Sequence, residues 1–321
     1  MRFLHSDMPL PRSRGLATMP TMSLPSEPHG LAFVPPLSVP SRRACLAAAG
    51  AALLSAIGPP AAAQRPANRL AVGVEAALLA SGLADRLGTA LARDTGLEIE
   101  WQGGPSGALL PTLERGALDA ALVFEPQLER ELLAQNLVHD RRPVARTELV
   151  LVGPAPRRAA RGSPAASAIG DPAGVAAGPP HDVQAALGRI AAAGARGDAS
   201  FVASGEPSAT QALEREAWRP LAPSAAAPWW RTAGPGPAAA LEMARASGAN
   251  AQVVRGVWQA LGAAGSGLAV LVEGDPHLAI DYRVMRAFRA PHPAGRLMVS
   301  WLAGPNGQQV VAAFARGYRP A

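Results

Sequence analysis

Residues 201–218 read FVASGEPSATQALEREAW: an apolar start, then small hydroxyl and glycine residues, then a run of good helix formers. Ser204, Gly205, Ser208 and Thr210 therefore stand immediately ahead of a helix. Two chemistries fit that order. Ser and Thr side chains cap the orphan amide groups of a helix start, and an acid such as Glu206 or Glu214 suits its first turns. Alternatively, hydroxyls and free backbone N–H groups converging on a helix N-terminus hold an anion without a formal positive charge. The local sequence leaves both open.

Other chemistry-bearing residues are poorly grouped. His139, His181, His277 and His292 show no metal-ligand spacing. Gly103-Gly104-Pro105-Ser106-Gly107 lacks the Gly-Lys-Ser/Thr ending of a P-loop and is no dinucleotide fingerprint. No Gly-x-Ser-x-Gly elbow is present, and a chain without lysine has no Ser–Lys dyad. No pair of acids stands out for acid–base work, so an enzyme is not expected, nor is a cofactor or a metal. Trp229-Trp230 reads as core or cleft wall rather than as a stacking platform for bases.

The elements that must position these residues alternate along the chain. Strands are expected at 70–74, 97–101, 120–124 and 148–152, with helices at 82–95, 107–115 and 127–135 between them. Residues 155–178, rich in Arg, Ala, Pro and Gly, read as loop. A helix at 182–193, a strand at 201, a helix to 218 and a helix at 237–247 follow. Strands at 268–272 and 282–287 then precede the last helices. Strands alternating with helices imply parallel sheet with covered faces. The middle of the chain reads as a second βα unit inserted within the first, giving two lobes and a cleft beyond the strand ends.

With 49% hydrophobic and 17% charged residues over 321 positions, the chain can bury a core and is not of the disordered class. The pI of 10.9 would suit nucleic acid, but every basic residue is arginine and five of them lie in residues 1–64. Beyond residue 64 there are 25 arginines against 22 acids, with no basic cluster interleaved with aromatics, so no nucleic-acid partner is expected. Residues 41–64 have the parts of an export signal. Arg42-Arg43 precede an apolar run, Gly58-Pro59-Pro60 breaks it, and Ala61-Ala62-Ala63 offers a cleavage site. The pair of arginines is twin-arginine-like, with the general secretory route as the alternative. Periplasmic localisation follows as an expectation. Cys45 falls inside the signal, so no thiol chemistry remains after cleavage. Residues 1–40 form an extension outside the fold, with Met19 or Met22 as candidate starts.

Three stretches in one order carry a family likeness. LAVLVEGDPHLAIDYRV (268–284), RRPVARTELVLVGPA (141–155) and FVASGEPSATQALEREAW, with WLAGPNGQQVVAAF near the end, resemble the periplasmic tungstate-binding proteins of ABC importers. The resemblance extends over nearly all of residues 65–321. It implies an α/β fold of the bilobal, type II periplasmic-binding-protein-like kind, two βα lobes joined by two crossing strands. Lobe I would be 65–150 and 276–321, and lobe II 151–275. It further implies a small ligand in the interlobe cleft, an oxyanion such as tungstate or molybdate, and an ABC permease in the inner membrane as partner to a monomer.

The family's layout puts Ser81, Ser204, Gly205, Ser208, Thr210, Thr232 and Gly234 at the ligand. It brings Gly104 and Ser106 there as a binding loop, against their reading as a plain turn, and it makes Glu273 and Asp275 structural parts of a crossing. The sequence also departs from the family. Glu75, Ala76, Ala77 and Leu78 stand where hydroxyls wrap the oxyanion, Ser204 replaces an arginine and Gln211 a histidine. Arg231 and Arg255 are the candidate substitutes for the lost charge. The same fold without tight oxyanion binding, serving as a periplasmic sensor or partner module, is the alternative reading.

Overall fold

Strand β1 (Arg69–Glu75) is buried at every residue but the first, as a parallel strand covered on both faces must be. It lies between β2 (Glu98–Gly104) and β3 (Ala120–Val123), parallel to both. The helices α1 (Ala76–Ala80), α2 (Leu83–Thr95) and α3 (Ser106–Glu114) supply the crossovers, and α4 (Pro126–Ala134) follows β3. Gly82, at φ 84°, provides the left-handed turn that separates α1 from α2.

The protein is described by a computed structural model covering residues 66–155, 173–175, 178, 180–261, 267–289 and 292–321, all within one compact unit, Ala62–Ala321. The export signal, the N-terminal extension and most of the expected loop at 155–178 lie outside the described residues. Among those described, no helix is long and apolar enough to cross a membrane.

Strand β4 (Val138–Pro154) is the spine of the molecule. From Val138 to Glu148 it pairs antiparallel with β9 (Ala279–Ala287), and from Leu149 to Pro154 with β7 (Asn250–Val254) on one side and β8 (Leu268–Val272) on the other. β5 (Phe201–Ala203) and β6 (Trp230–Thr232) extend the second half in parallel, and β10 (Arg319–Pro320) pairs with the first. The order is β2-β1-β3-β9-β4-β7-β5-β6. This is the mixed α/β arrangement expected, two βα halves joined by crossing strands.

β4 is much longer than the five residues expected of it, because Arg141, Arg142 and Pro143 resemble a turn in sequence. Pro143 sits at a register shift of the β4–β9 ladder, where its missing N–H costs no hydrogen bond, and Asp140 at φ 53° accompanies the other shift. β7 and the helix after it, α8 (Arg255–Leu261), are additions to the expected elements.

The remaining helices pack on the two halves. α5 (Val183–Ala195), α6 (Ala209–Trp218) and α7 (Ala239–Ser247) belong to the second, while α9 (Gly295–Ala303) and α10 (Pro305–Phe314) return to the first. Phe201, Trp218, Trp229 and Trp230 form an aromatic cluster, with Phe201 and Trp230 stacked at 5.1 Å. The two tryptophans thus belong to packing rather than to the cleft.

The two crossings are tied together. Glu148, the last β4 residue paired with β9, accepts hydrogen bonds from Arg255 Nε at 2.8 Å and from the Gly274 N–H at 2.6 Å. Arg255 also pairs with Glu273, just after β8. Asp275 accepts the N–H groups of Val183 and His277, each at 2.9 Å. These bonds account for Glu273 and Asp275 as structural residues.

Candidate functional site

Parallel strands end where helices begin, and those ends leave a crevice. Beyond the carboxyl ends of β1, β5 and β7 lies a cavity of about 30 Å³, lined by Glu75, Ser204, Glu206, Thr210, Glu214 and Gln252 among others. That is space for about one or two waters. Leu149, Val254 and Pro237 supply apolar wall.

The polar lining is dominated by carboxylates. Glu75 ends β1 and is 4% exposed. One of its oxygens, Oε2, accepts the N–H of Ser106 at 3.0 Å and the Ser106 hydroxyl. Burial pushes the Glu75 carboxyl up to about 7; the Ser106 bonds pull it down, and the neighbouring Glu206 and Glu125 raise it further. Glu214 lies in α6, 2% exposed, and accepts the Ser204 N–H on both oxygens, at 3.1 and 3.3 Å. Burial pushes it up to about 8, against the Ser204 bond and the charge of Arg215. Glu206 is raised by burial as well. Near pH 7, Glu75 and Glu214 therefore share their sites with protons.

Gln252, on β7, completes the lining. It is 3% exposed, and among the described residues neither its Oε1 nor its Nε2 has a hydrogen-bond partner. Buried amides without partners are uncommon and costly, so this one marks a place where a partner is expected.

The residues singled out from sequence are placed as follows. Ser204 and Thr210 line the cavity. Ser208 caps α6, accepting the Gln211 N–H at 3.2 Å, and its hydroxyl meets that of Thr210 at 2.8 Å. The capping reading thus describes Ser208. Gly205 passes so close to β6's end that a Cβ there would lie 1.9 Å from the Ala233 carbonyl oxygen.

The others do not line the cavity. Ser106 stands behind Glu75, and its hydroxyl also accepts the Phe124 N–H at 3.0 Å. Ser81 is buried, donating to the Leu78 carbonyl and accepting the Tyr318 hydroxyl at 2.9 Å. Gly104 closes β2, while Thr232 and Gly234 are exposed at the far edge of the sheet. Neither candidate substitute arginine reaches the cavity lining. Arg255 is held by Glu148 and Glu273, and Arg231 is exposed along a separate surface depression.

Glu206, Glu214 and Gln252 were not among the candidates. Glu214 was reachable, since it follows Thr210 by four residues and so shares its helix face. Gln252 carries no such signal. Among the described residues no three His, Cys, Asp or Glu side chains are grouped to hold a metal ion.

Residues 72–318 match the family model described as bacterial extracellular solute-binding protein. The chain belongs to that family. None of the curated proteins matches it. Among solved structures, the tungstate-binding protein of Desulfovibrio alaskensis G20 is similar at 27% identity and a TM-score of 0.63, over 79% of this chain and 98% of that one. The tungstate ABC transporter structure from Geobacter sulfurreducens is similar at 23% identity and a TM-score of 0.62, over 76% and 98%. The fold is that of type II periplasmic binding proteins, and the family is one of extracellular solute-binding proteins.

Proposed function

We propose that this chain is the exported, periplasmic solute-binding subunit of an ABC importer. It takes one small solute between the two halves of its sheet and presents it to an inner-membrane permease. The observation that carries this reading is the buried cavity at the strand ends, into which a solute would bring the partner that the Gln252 amide lacks. The solute needs no bond made or broken. Contacts stronger in the closed arrangement than in the open one are enough to draw the halves together.

Tungstate or molybdate is the solute that the 27%-identical neighbour and the hydroxyls of Ser208 and Thr210 support. The lining weighs against it. At 4 Å and an effective dielectric of 20, a dianion facing one ionised carboxylate is repelled by about 8 kcal/mol. An oxyanion would therefore need Glu75 and Glu214 protonated. Calorimetric titration with tungstate and molybdate tests this directly, and micromolar or tighter heats would establish the oxyanion. The solute-binding reading itself is tested by thermal unfolding against a broad panel of sugars, amino acids, organic acids, oxyanions and amines. A panel in which nothing raises the melting temperature would refute it.

A further inference from the structure

Two sets of donors at the strand ends of this cleft are already taken, and in the same way. The N–H and hydroxyl of Ser106, at the start of α3, go to the carboxylate of Glu75. The N–H of Ser204, at the end of β5, goes to the carboxylate of Glu214. Each half of the molecule thus carries its own buried carboxyl group at its strand end. What these groups offer the cavity is acceptor capacity: Glu75 Oε1 has no hydrogen bond among the described residues, and Glu206 lies beside it on the cavity wall.

The independent observation is Gln252. Its amide is buried, lines the same cavity and has no partner at either end among the described residues, so it adds a neutral acceptor, Oε1, to the carboxylates and one amide donor, Nε2, beside it. Among the described residues no arginine or histidine lines the cavity, and the lysine-free chain has no lysine ammonium to neutralise it. Among the described residues these carboxylates do not form a group that could hold a metal ion. A polyatomic cation, whose N–H groups point several ways at once, matches acceptors that are spread out in this manner.

We propose that the solute of this cleft is a small organic cation of the ammonium type, of about the size of methylammonium, held by Glu75, Glu206 and the amide of Gln252, rather than an oxyanion. This deepens the solute-binding reading above and rests on it. The charged and titratable groups facing Glu75 are Glu206, Glu125, Tyr282 and Tyr318, and Arg215, exposed on the outer side of α6, acts on Glu214. None of them supplies the cavity with a positive charge. A cation entering it stabilises the ionised carboxylates and so expels protons, whereas an oxyanion draws protons in.

The experiment is calorimetry of the full chain with ammonium, methylammonium and guanidinium chlorides, and with sodium tungstate and molybdate. It is run near pH 7 in two buffers of different ionisation enthalpy. Binding of ammonium or methylammonium with release of protons is expected, and guanidinium, too large for the cavity, should bind more weakly. Gln252→Leu and Glu75→Gln should each weaken it ten- to hundredfold, as loss of a charge-assisted hydrogen bond does. Gln252→Glu should strengthen it. Thermal melts of each variant show whether it has folded, and the gain by Gln252→Glu cannot arise from misfolding.

Tungstate or molybdate binding with proton uptake, and no response to the cations, would overturn the inference while leaving the solute-binding reading intact. If cations and oxyanions are both silent, the inference falls, and the broader solute panel decides separately whether the solute-binding reading falls with it. Cation binding that the Gln252 and Glu75 variants leave unchanged would also overturn it.

Discussion

Glu214 offers a measurable consequence of burying an acid beside a cavity. In the folded chain its carboxyl is pushed up to about 8 from an ordinary 4.5, with burial as the main cause. The folded state therefore binds more protons than the unfolded chain between those two values. Stability contributed by the protonated form is complete below about pH 4.5 and drains away as pH rises toward 8. Each tenfold difference in proton affinity is worth about 1.4 kcal/mol, so the loss attributable to Glu214 approaches about 5 kcal/mol by pH 9. That is a large share of the roughly 5–15 kcal/mol that holds a typical domain together.

Glu214→Gln keeps an oxygen to accept the Ser204 N–H but cannot ionise. At pH 5 the variant should match the parent within about 1 kcal/mol. At pH 9 it should be more stable by about 3–5 kcal/mol. A gentler decline remains from Glu75, which is raised only to about 7 and carries about 3 kcal/mol of the same sign. Urea unfolding at pH 5, 7 and 9, extrapolated linearly to water, reads the difference. Parallel pH profiles for parent and variant would refute the reasoning, because they would mean that the Glu214 carboxylate is solvated in the folded protein.

Two further substitutions probe the same crevice. Ser106→Ala removes the hydroxyl that donates to Glu75 and accepts from the Phe124 N–H. The Glu75 carboxyl should then titrate above 7, followed by carbon-13 NMR of its carboxyl resonance, with a stability loss of about 1–3 kcal/mol. An unchanged midpoint would show that the contact does not exist in solution. Gly205→Ala places a methyl 1.9 Å from the Ala233 carbonyl oxygen, so two backbone segments must part. A loss of about 1–3 kcal/mol in denaturant unfolding is expected, and a neutral outcome would mean that this junction is slack.

Much of the fold was legible because its central strands are covered on both faces. The runs in β1, β3 and the second half of β4 are unbroken apolar sequence, and they read as strands for that reason. Helix starts were legible where a side chain caps them, as Asp182 does for α5 and Ser208 for α6. β7 was missed because its five residues, NAQVV, bury two amides and break the apolar pattern. The first half of β4 was missed because Arg141, Arg142 and Pro143 mimic a turn.

The site was legible in part, and for a similar reason. Ser204 and Thr210 could be placed at a strand-to-helix junction, and that junction does border the cavity. Glu75 was visible as a departure from a hydroxyl-rich turn, but that its charge would be met by Ser106 was not. Short-range pattern places residues along one element. It does not reveal that β7, some 175 residues after β1, turns an amide toward the same space.

The tie between the two crossings limits how this molecule can move. Arg255 grips Glu148 and Glu273 at once, and the Gly274 N–H grips Glu148 again. A rod fastened in this way cannot slide along its neighbour; it can only swivel about the fastening. Whatever gap opens to admit or release a guest must widen like a jaw, most at the rim farthest from Glu148 and least beside it. The tempo of uptake would then be set by how stiffly one arginine holds its two carboxylates.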